Sequence, residues 1–322
     1  MKSFRMYRQS MSIIAAATLT LTACSKSDDD KPAEKNINET VAADAQLTLF
    51  EAAVVKAGMS NTLASTSNLT LFAPDDNALK QIDLNGDGTA DLDTEAKIKA
   101  LDANGVAVLT TVLQYHLLTT KVMAADVPAG PNAEISTYGG KKAFATRNNA
   151  GVFINGVKVK KADIAATNGV IHIVERVLMP PMGNIVETIA INPNFTFLVA
   201  ASQRVGLDIL NTLSAPGPLT AFAPTNQAFI DAGYPSIASI QATPAATLKP
   251  ILLNHVIAAR LFTSDLTEGA QPASLGGGKL TITLAGGAKV KGNGNTTAAS
   301  LSITDVMATN GVIHVVDKIL LP

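Results

Sequence analysis

The chain carries four histidines in two matched pairs: His116 in "QYHLL" with His255 in "LNHVI", and His172 in "GVIHIV" with His314 in "GVIHVV". Imidazole is the commonest general base near neutral pH and a frequent metal ligand, so a matched set of four invites a catalytic or metal-binding reading. Each ring nevertheless sits among apolar neighbours, where a ring nitrogen serves equally to hydrogen-bond buried backbone and hold two elements in register. The structural role is the expectation. No serine stands in a Gly-x-Ser-x-Gly elbow, and the chain has no His-Glu-x-x-His, no phosphate-cradling glycine loop and no dinucleotide fingerprint. An enzyme is not expected.

A second group of chemical side chains is oxygen-rich. In "DLNGDGTADLD" (residues 83–93), Asp83, Asn85 and Asp87 take positions one, three and five of an EF-hand loop, Gly88 the turn position, Thr89 the backbone-carbonyl position and Asp91 position nine. Ca²⁺ wants six to eight oxygens, which such spacing supplies. The pattern breaks at twelve, where Thr94 replaces the bidentate Glu and Asp93 and Glu95 stand on either side as substitutes. These residues form a candidate calcium loop whose role would be to stiffen the segment. The alternative is an Asn-Gly and Asp-Gly surface turn without metal.

What positions these groups is a duplication. "NGVIHIVERVLMP" (residues 168–180) and "NGVIHVVDKILLP" (residues 310–322) are identical at eight of thirteen positions. Earlier pairs follow in the same order: "LTLFAPDDNAL" (69–79) with "LTAFAPTNQAF" (219–229), and "VLQYHLL" (112–118) with "ILLNHVI" (251–257). Pro74 to His116 spans 42 residues and Pro224 to His255 spans 31, so the oxygen-rich loop belongs to an insertion of about eleven residues in copy one. Periodicity predicts helices over 47–58 and 196–206, and capped helices opening at Asn77 and Asn226 after the "FAP" strands. Asn168-Gly169 and Asn310-Gly311 turn the chain into a buried β-branched strand, and Pro ends each copy. "LGGGK" (275–279) reads as a hairpin loop.

The first residues read as a targeting segment. Lys2, Arg5 and Arg8 precede an apolar run over 11–23 that is too short to span a bilayer. Leu21, Thr22, Ala23 and Cys24 resemble the lipobox of bacterial lipoproteins. That resemblance implies a signal peptide over 1–23 and acylation of Cys24, the chain's one cysteine. Residues 24–36 then form a lipidated, flexible tether. Its Asp28 to Asp30 run resembles the export signal of bacterial surface lipoproteins, or is a solvated linker. Without the leader's three basic residues the balance is 22 basic against 26 acidic. With scattered basic residues and 4% aromatics, nucleic acid is not an expected partner.

The ordered motifs after the tether resemble the fasciclin domain: "TLFAPDDNAL" and "TAFAPTNQAF", the "YH" element at Tyr115 and His116 (Asn254 and His255 in copy two), and the two closing segments. The resemblance implies an α+β fold of two tandem fasciclin-like domains, over 37–181 and 182–322, each a twisted β-wedge or sandwich with packed helices. Such domains mostly mediate adhesion. The expectation is an outer membrane, surface-exposed lipoprotein that is anchored by its lipidated N-terminus and binds protein or polysaccharide of a matrix or another cell. A ligand- or glycan-binding lipoprotein of an uptake system, or a periplasmic scaffold, is the alternative. Because copy two has Asn254, a role for Tyr115 need not transfer. Four Tyr, ten Phe and no Trp supply few stacking surfaces for sugars.

Overall fold

A computed structural model describes residues 35–84 and 88–322. In copy one, α1 (Ile37–Ala43), α2 (Thr48–Lys56) and α3 (Ser60–Ser65) precede β1 (Leu69–Pro74). Next come α4 (Asp76–Leu79), α5 (Glu95–Ala100), α6 (Ala103–Tyr115) and β2 (Leu117–Leu118). The copy ends with β3 (Gly130–Ser136), β4 (Lys142–Asn148), β5 (Gly151–Ile154), β6 (Val157–Ala166) and β7 (Gly169–Val174).

Among the described residues, copy two repeats the order with one strand fewer. It opens with α7 (Ile185–Ala190), α8 (Thr196–Val205), α9 (Leu207–Ser214) and β8 (Leu219–Pro224). These lead to α10 (Asn226–Asp231), α11 (Ile237–Ala242), α12 (Ala245–Asn254) and β9 (Val256–Ile257). The last strands are β10 (Leu280–Thr283), β11 (Lys289–Gly292), β12 (Ala299–Ala308) and β13 (Gly311–Val316). "LGGGK" forms a turn closed by the Ser274 amide on the Gly278 carbonyl, and only the isolated bridge Ala273–Lys279 stands beside it.

The helix starts follow cap chemistry. Asn36 and Asn184 each close a capping box with Glu39 and Glu187, satisfying amides that a first helical turn leaves unpaired. Asn36 is thus built into the domain, as is Lys35, whose carbonyl accepts the Thr167 amide at 2.9 Å; the segment read as tether ends before them. Asp75 and Thr225 cap the helices after the "FAP" strands. The copy-one helix therefore opens at Asp76, one residue before Asn77, because the carboxylate of Asp75 reaches the Ala78 amide.

One sheet runs in the order β2-β1-β7-β6-β5-β4-β3 and the other β10-β11-β12-β13-β8-β9. In each, beside the short edge strand, an early strand and the copy's last strand run parallel: β1 with β7 and β8 with β13. These strands are buried along their whole length, which explains their unbroken apolar sequence. Alternation then divides the side chains. Leu69, Leu71 and Ala73 face the helices, whereas Phe72 packs with Tyr115, Ile154 and Val174 on the other face.

β6 and β12 are irregular against their partners, with register shifts around Asp163 and Asp305. Both aspartates have positive φ, at 59° and 62°. Such bulges leave an unpaired amide that must find another acceptor. Among the described residues no helix is long and apolar enough to cross a membrane.

Candidate functional site

Each histidine binds backbone through both ring nitrogens. At the C-terminus of α6, His116 Nδ1 lies 2.8 Å from the Val112 carbonyl, and its Nε2 accepts the Leu178 amide at 2.9 Å. His255 repeats this with Ile251 and Leu320, at the same two distances. Because Nε2 accepts an amide proton, Nδ1 must carry the ring's own proton and donate it. The ring thereby satisfies one of the carbonyls that a helix end leaves open and ties it to the segment following the last strand.

His172 and His314 have the opposite tautomer. Nε2 of His172 donates to the Val122 carbonyl at 2.9 Å, and Nδ1 accepts the bulged Asp163 amide at 3.2 Å. His314 does the same with Leu261 and Asp305. The parallel register sets Phe72 beside His172 and Phe222 beside His314, and the ring centroids stand 5.5 and 5.6 Å apart.

Burial pushes His116 and His255 down to about 4, against smaller upward pulls from the Val112 and Ile251 carbonyls. It also lowers His172 and His314, whose aspartate neighbours pull the other way. Four neutral rings with both nitrogens engaged have no free lone pair for a metal and none for a substrate proton.

The Asn-Gly pairs are equally occupied. Asn168 accepts the Ile37 amide at 2.9 Å and donates to the Leu63 and Thr66 carbonyls at 2.8 and 2.9 Å. Asn310 makes the matching bonds to Ile185, Leu213 and Ala215. A side chain on Gly169 or Gly311 would place Cβ 2.1 or 2.2 Å from the carbonyl oxygen of Leu69 or Leu219, so only glycine admits the parallel strand there. Asn310→Ala is expected to lower unfolding free energy by about 3 kcal/mol, since it orphans one amide and two carbonyls at about 1 kcal/mol or more each. A urea midpoint unchanged from the parent would refute that role.

Tyr115 and Asn254 do different work. The Tyr115 hydroxyl donates to the Lys142 carbonyl and accepts from Asn155, both at 2.8 Å, and burial pushes its pKa up to about 12. Asn254 instead donates to the Leu320 carbonyl at 3.1 Å and accepts from Ser274 at 2.8 Å.

Cys24, Asn85 and Asp87 lie outside the described residues. Asp83 accepts the Gly88 amide at 2.8 Å, and Asp91 accepts the Leu84 amide at 2.7 Å. Thr89 is exposed beside them. Asp93 and Glu95 pair with Lys97 and Lys99 at 2.9 and 2.7 Å, which engages both substitutes for the twelfth position. Among the described residues no three His, Cys, Asp or Glu side chains converge as a metal site.

The two copies are joined by a polar and aromatic seam that no sequence motif announces. Arg176 reaches the Asp305 carboxylate at 3.0 Å, and the Asp305 side chain is 1% exposed. Thr146 donates to Asp265 at 2.9 Å, Asn132 to the Arg260 carbonyl and Asn148 to the Ser264 carbonyl, each at 2.9 Å. The Arg260 guanidinium lies 3.7 Å over the Phe144 ring, and Phe144 packs with Phe262, Met307 and Val312. The available signal was positional: an aspartate stands nine residues before the strand histidine in both copies, as Asp163 and Asp305.

The fasciclin domain family model matches residues 45–180 and 193–322. Transforming growth factor-beta-induced protein ig-h3 of Oryctolagus cuniculus is 30% identical over 253 residues, covering 79% of this chain and 34% of that protein. Protein sll1483 of Synechocystis sp. is 40% identical over 150 residues, 43% of this chain and 73% of its own length. Stabilin-2 of Mus musculus is 26% identical over 288 residues, 84% of this chain and 10% of its own. The chain spans about a third of the length of the ig-h3 proteins. Among solved structures, a FAS1 domain pair from the insect cell adhesion molecule Fasciclin I is 20% identical, with 85% of this chain and 96% of that one covered at a TM-score of 0.40.

Proposed function

The chain belongs to the fasciclin domain family, and from that premise we propose that it is a non-catalytic adhesion protein of the cell envelope. In this reading it is anchored through a lipidated Cys24 and binds protein or polysaccharide outside the cell. The observation that carries the non-catalytic part is the commitment of both nitrogens of all four histidines to backbone. The seam supports recognition by a fixed surface spanning both copies, since Arg176–Asp305 and Phe144–Phe262 hold them against each other.

The test uses a protease that cannot cross the outer membrane, applied to intact cells and to lysed controls while both copies are followed. Digestion on intact cells followed by binding of the purified chain to matrix polysaccharide or protein supports the proposal. Full protection on intact cells overturns it in favour of a periplasmic scaffold or uptake protein.

Calcium belongs to the same proposal, with Asp83, Asn85, Asp87, Thr89 and Asp91 as its candidate ligands in the copy-one insertion. A cation held only by the folded loop raises stability by about 2.7 kcal/mol at a hundred times its Kd. The expected result is a calcium-dependent rise in melting temperature that Asp83→Ala and Asp87→Ala abolish. No rise at millimolar calcium removes the metal and leaves an Asx-rich turn.

A further inference from the structure

Copy two contains a cavity of about 210 Å³ between α7, α8, α9, α12 and the helix-facing side of β8. Its wall is almost wholly apolar, with Ser202, Gln203 and His255 as the polar side chains among its lining residues. His255 contributes no hydrogen-bonding atom to it, because Nδ1 and Nε2 are taken by Ile251 and Leu320.

The other copy shows how the cavity arises. Counted from the capping residues Asn36 and Asn184, α2 and α8 run in step, so Leu198 and Ser202 occupy the places of Phe50 and Val54. Counted along the paired strands, Ala221 occupies the place of Leu71. Phe50, Val54 and Leu71 are all buried in the core of copy one. Three large groups have become smaller at once, and close-packed interiors do not absorb such losses without leaving a void.

The mouth changes in the opposite chemical sense. Val186, Val199 and Leu210, half-buried around the opening, stand where copy one has Asn38, Glu51 and Ser60. The interior has been emptied while its rim has become apolar. An engineered apolar cavity of about 150 Å³ stays dry and takes benzene, so a larger one of this lining favours hydrocarbon over water. Benzene puts six carbons in about 150 Å³, so about 210 Å³ has room for about eight. Because Ala190 and Gln203 on its rim are exposed, an occupant keeps one end in water.

We propose that this cavity is a binding site for a linear aliphatic chain of about six to eight carbons, entering tail first with its polar head at the mouth beside Gln203. The site is independent of the adhesive reading and of the anchor.

The experiment titrates the full chain calorimetrically with straight-chain 1-alkanols from butanol to dodecanol, with benzyl alcohol for comparison. Affinity is expected to rise about fourfold per added methylene up to about eight carbons and then level off. Leu198→Phe with Ala221→Leu, which restores two copy-one residues, is expected to weaken octanol binding at least tenfold while keeping or raising the melting temperature. Should that pair fail to fold, Ser202→Val gives the reading: weaker octanol binding supports the site and unchanged binding overturns it. Absence of saturable binding by any alkanol, equal octanol affinity in the folded filled variant, or tighter binding of benzyl alcohol than of octanol also overturns it.

Discussion

Replacing His116 by alanine is expected to lower the unfolding free energy by about 3–5 kcal/mol, a large share of what holds a domain folded. Two losses combine. The Leu178 amide loses its acceptor and the Val112 carbonyl loses its donor, both in buried surroundings, and each orphan costs about 1–3 kcal/mol. The fully buried ring also leaves a cavity. His255→Ala should act alike in copy two. Urea unfolding by circular dichroism gives the answer, and a loss below about 1 kcal/mol would show that the ring does not join helix end to closing segment.

The second large effect is acid lability. An unfolded histidine titrates near 6.5, whereas His116 and His255 do so at about 4 when folded, and His172 and His314 are also lowered. Between these values the unfolded chain binds protons that the folded chain refuses. The histidine contribution to stability is therefore constant above about pH 7 and falls as pH drops from about 6.5 towards 4. The slope approaches about 1.4 kcal/mol per pH unit for each fully buried histidine. Asp265 opposes this, since burial at the seam raises its pKa and favours the fold in acid, but it is one group against four. Urea midpoints taken from pH 8 to 4 should trace this curve, with a shallower fall in a folded His172→Gln variant. A midpoint independent of pH down to 4 would contradict neutral buried rings.

What could be read from sequence was what recurs. The "NGVIH" segment is legible because its residues serve the backbone directly: Asn as a staple for three chain groups, Gly as the place where a neighbouring carbonyl leaves no room for a side chain, His as a bridge. Such roles tolerate little change, so both copies keep them. The partners of those residues were not legible. Leu178, Val122 and Asp163 are met through main-chain atoms, which carry no residue signature. The seam was hidden for a related reason: Asp305 recurs as Asp163 nine residues before the strand histidine, but no spacing connects it to Arg176, its partner at long separation. The cavity lay in the sequence as a difference between copies, since Phe50 against Leu198 and Leu71 against Ala221 are conservative pairs until their shared place in the packing is known.

The parallel pairing of β1 with β7 bears on how the protein is made. Leu69 lies opposite Gly169, so this parallel pair cannot form until about a hundred further residues have been synthesised. A nascent chain that has reached only β6 has the short β2 against one edge of β1 and nothing against the other. Once Val174 has emerged, copy one holds every strand of its sheet, while α7 and all that follows are still to come. Copy two is then made beside a neighbour whose sheet already has its full complement of strands. The seam residues Phe144 and Arg176 are in place early, ready to receive Phe262 and Asp305 as those emerge.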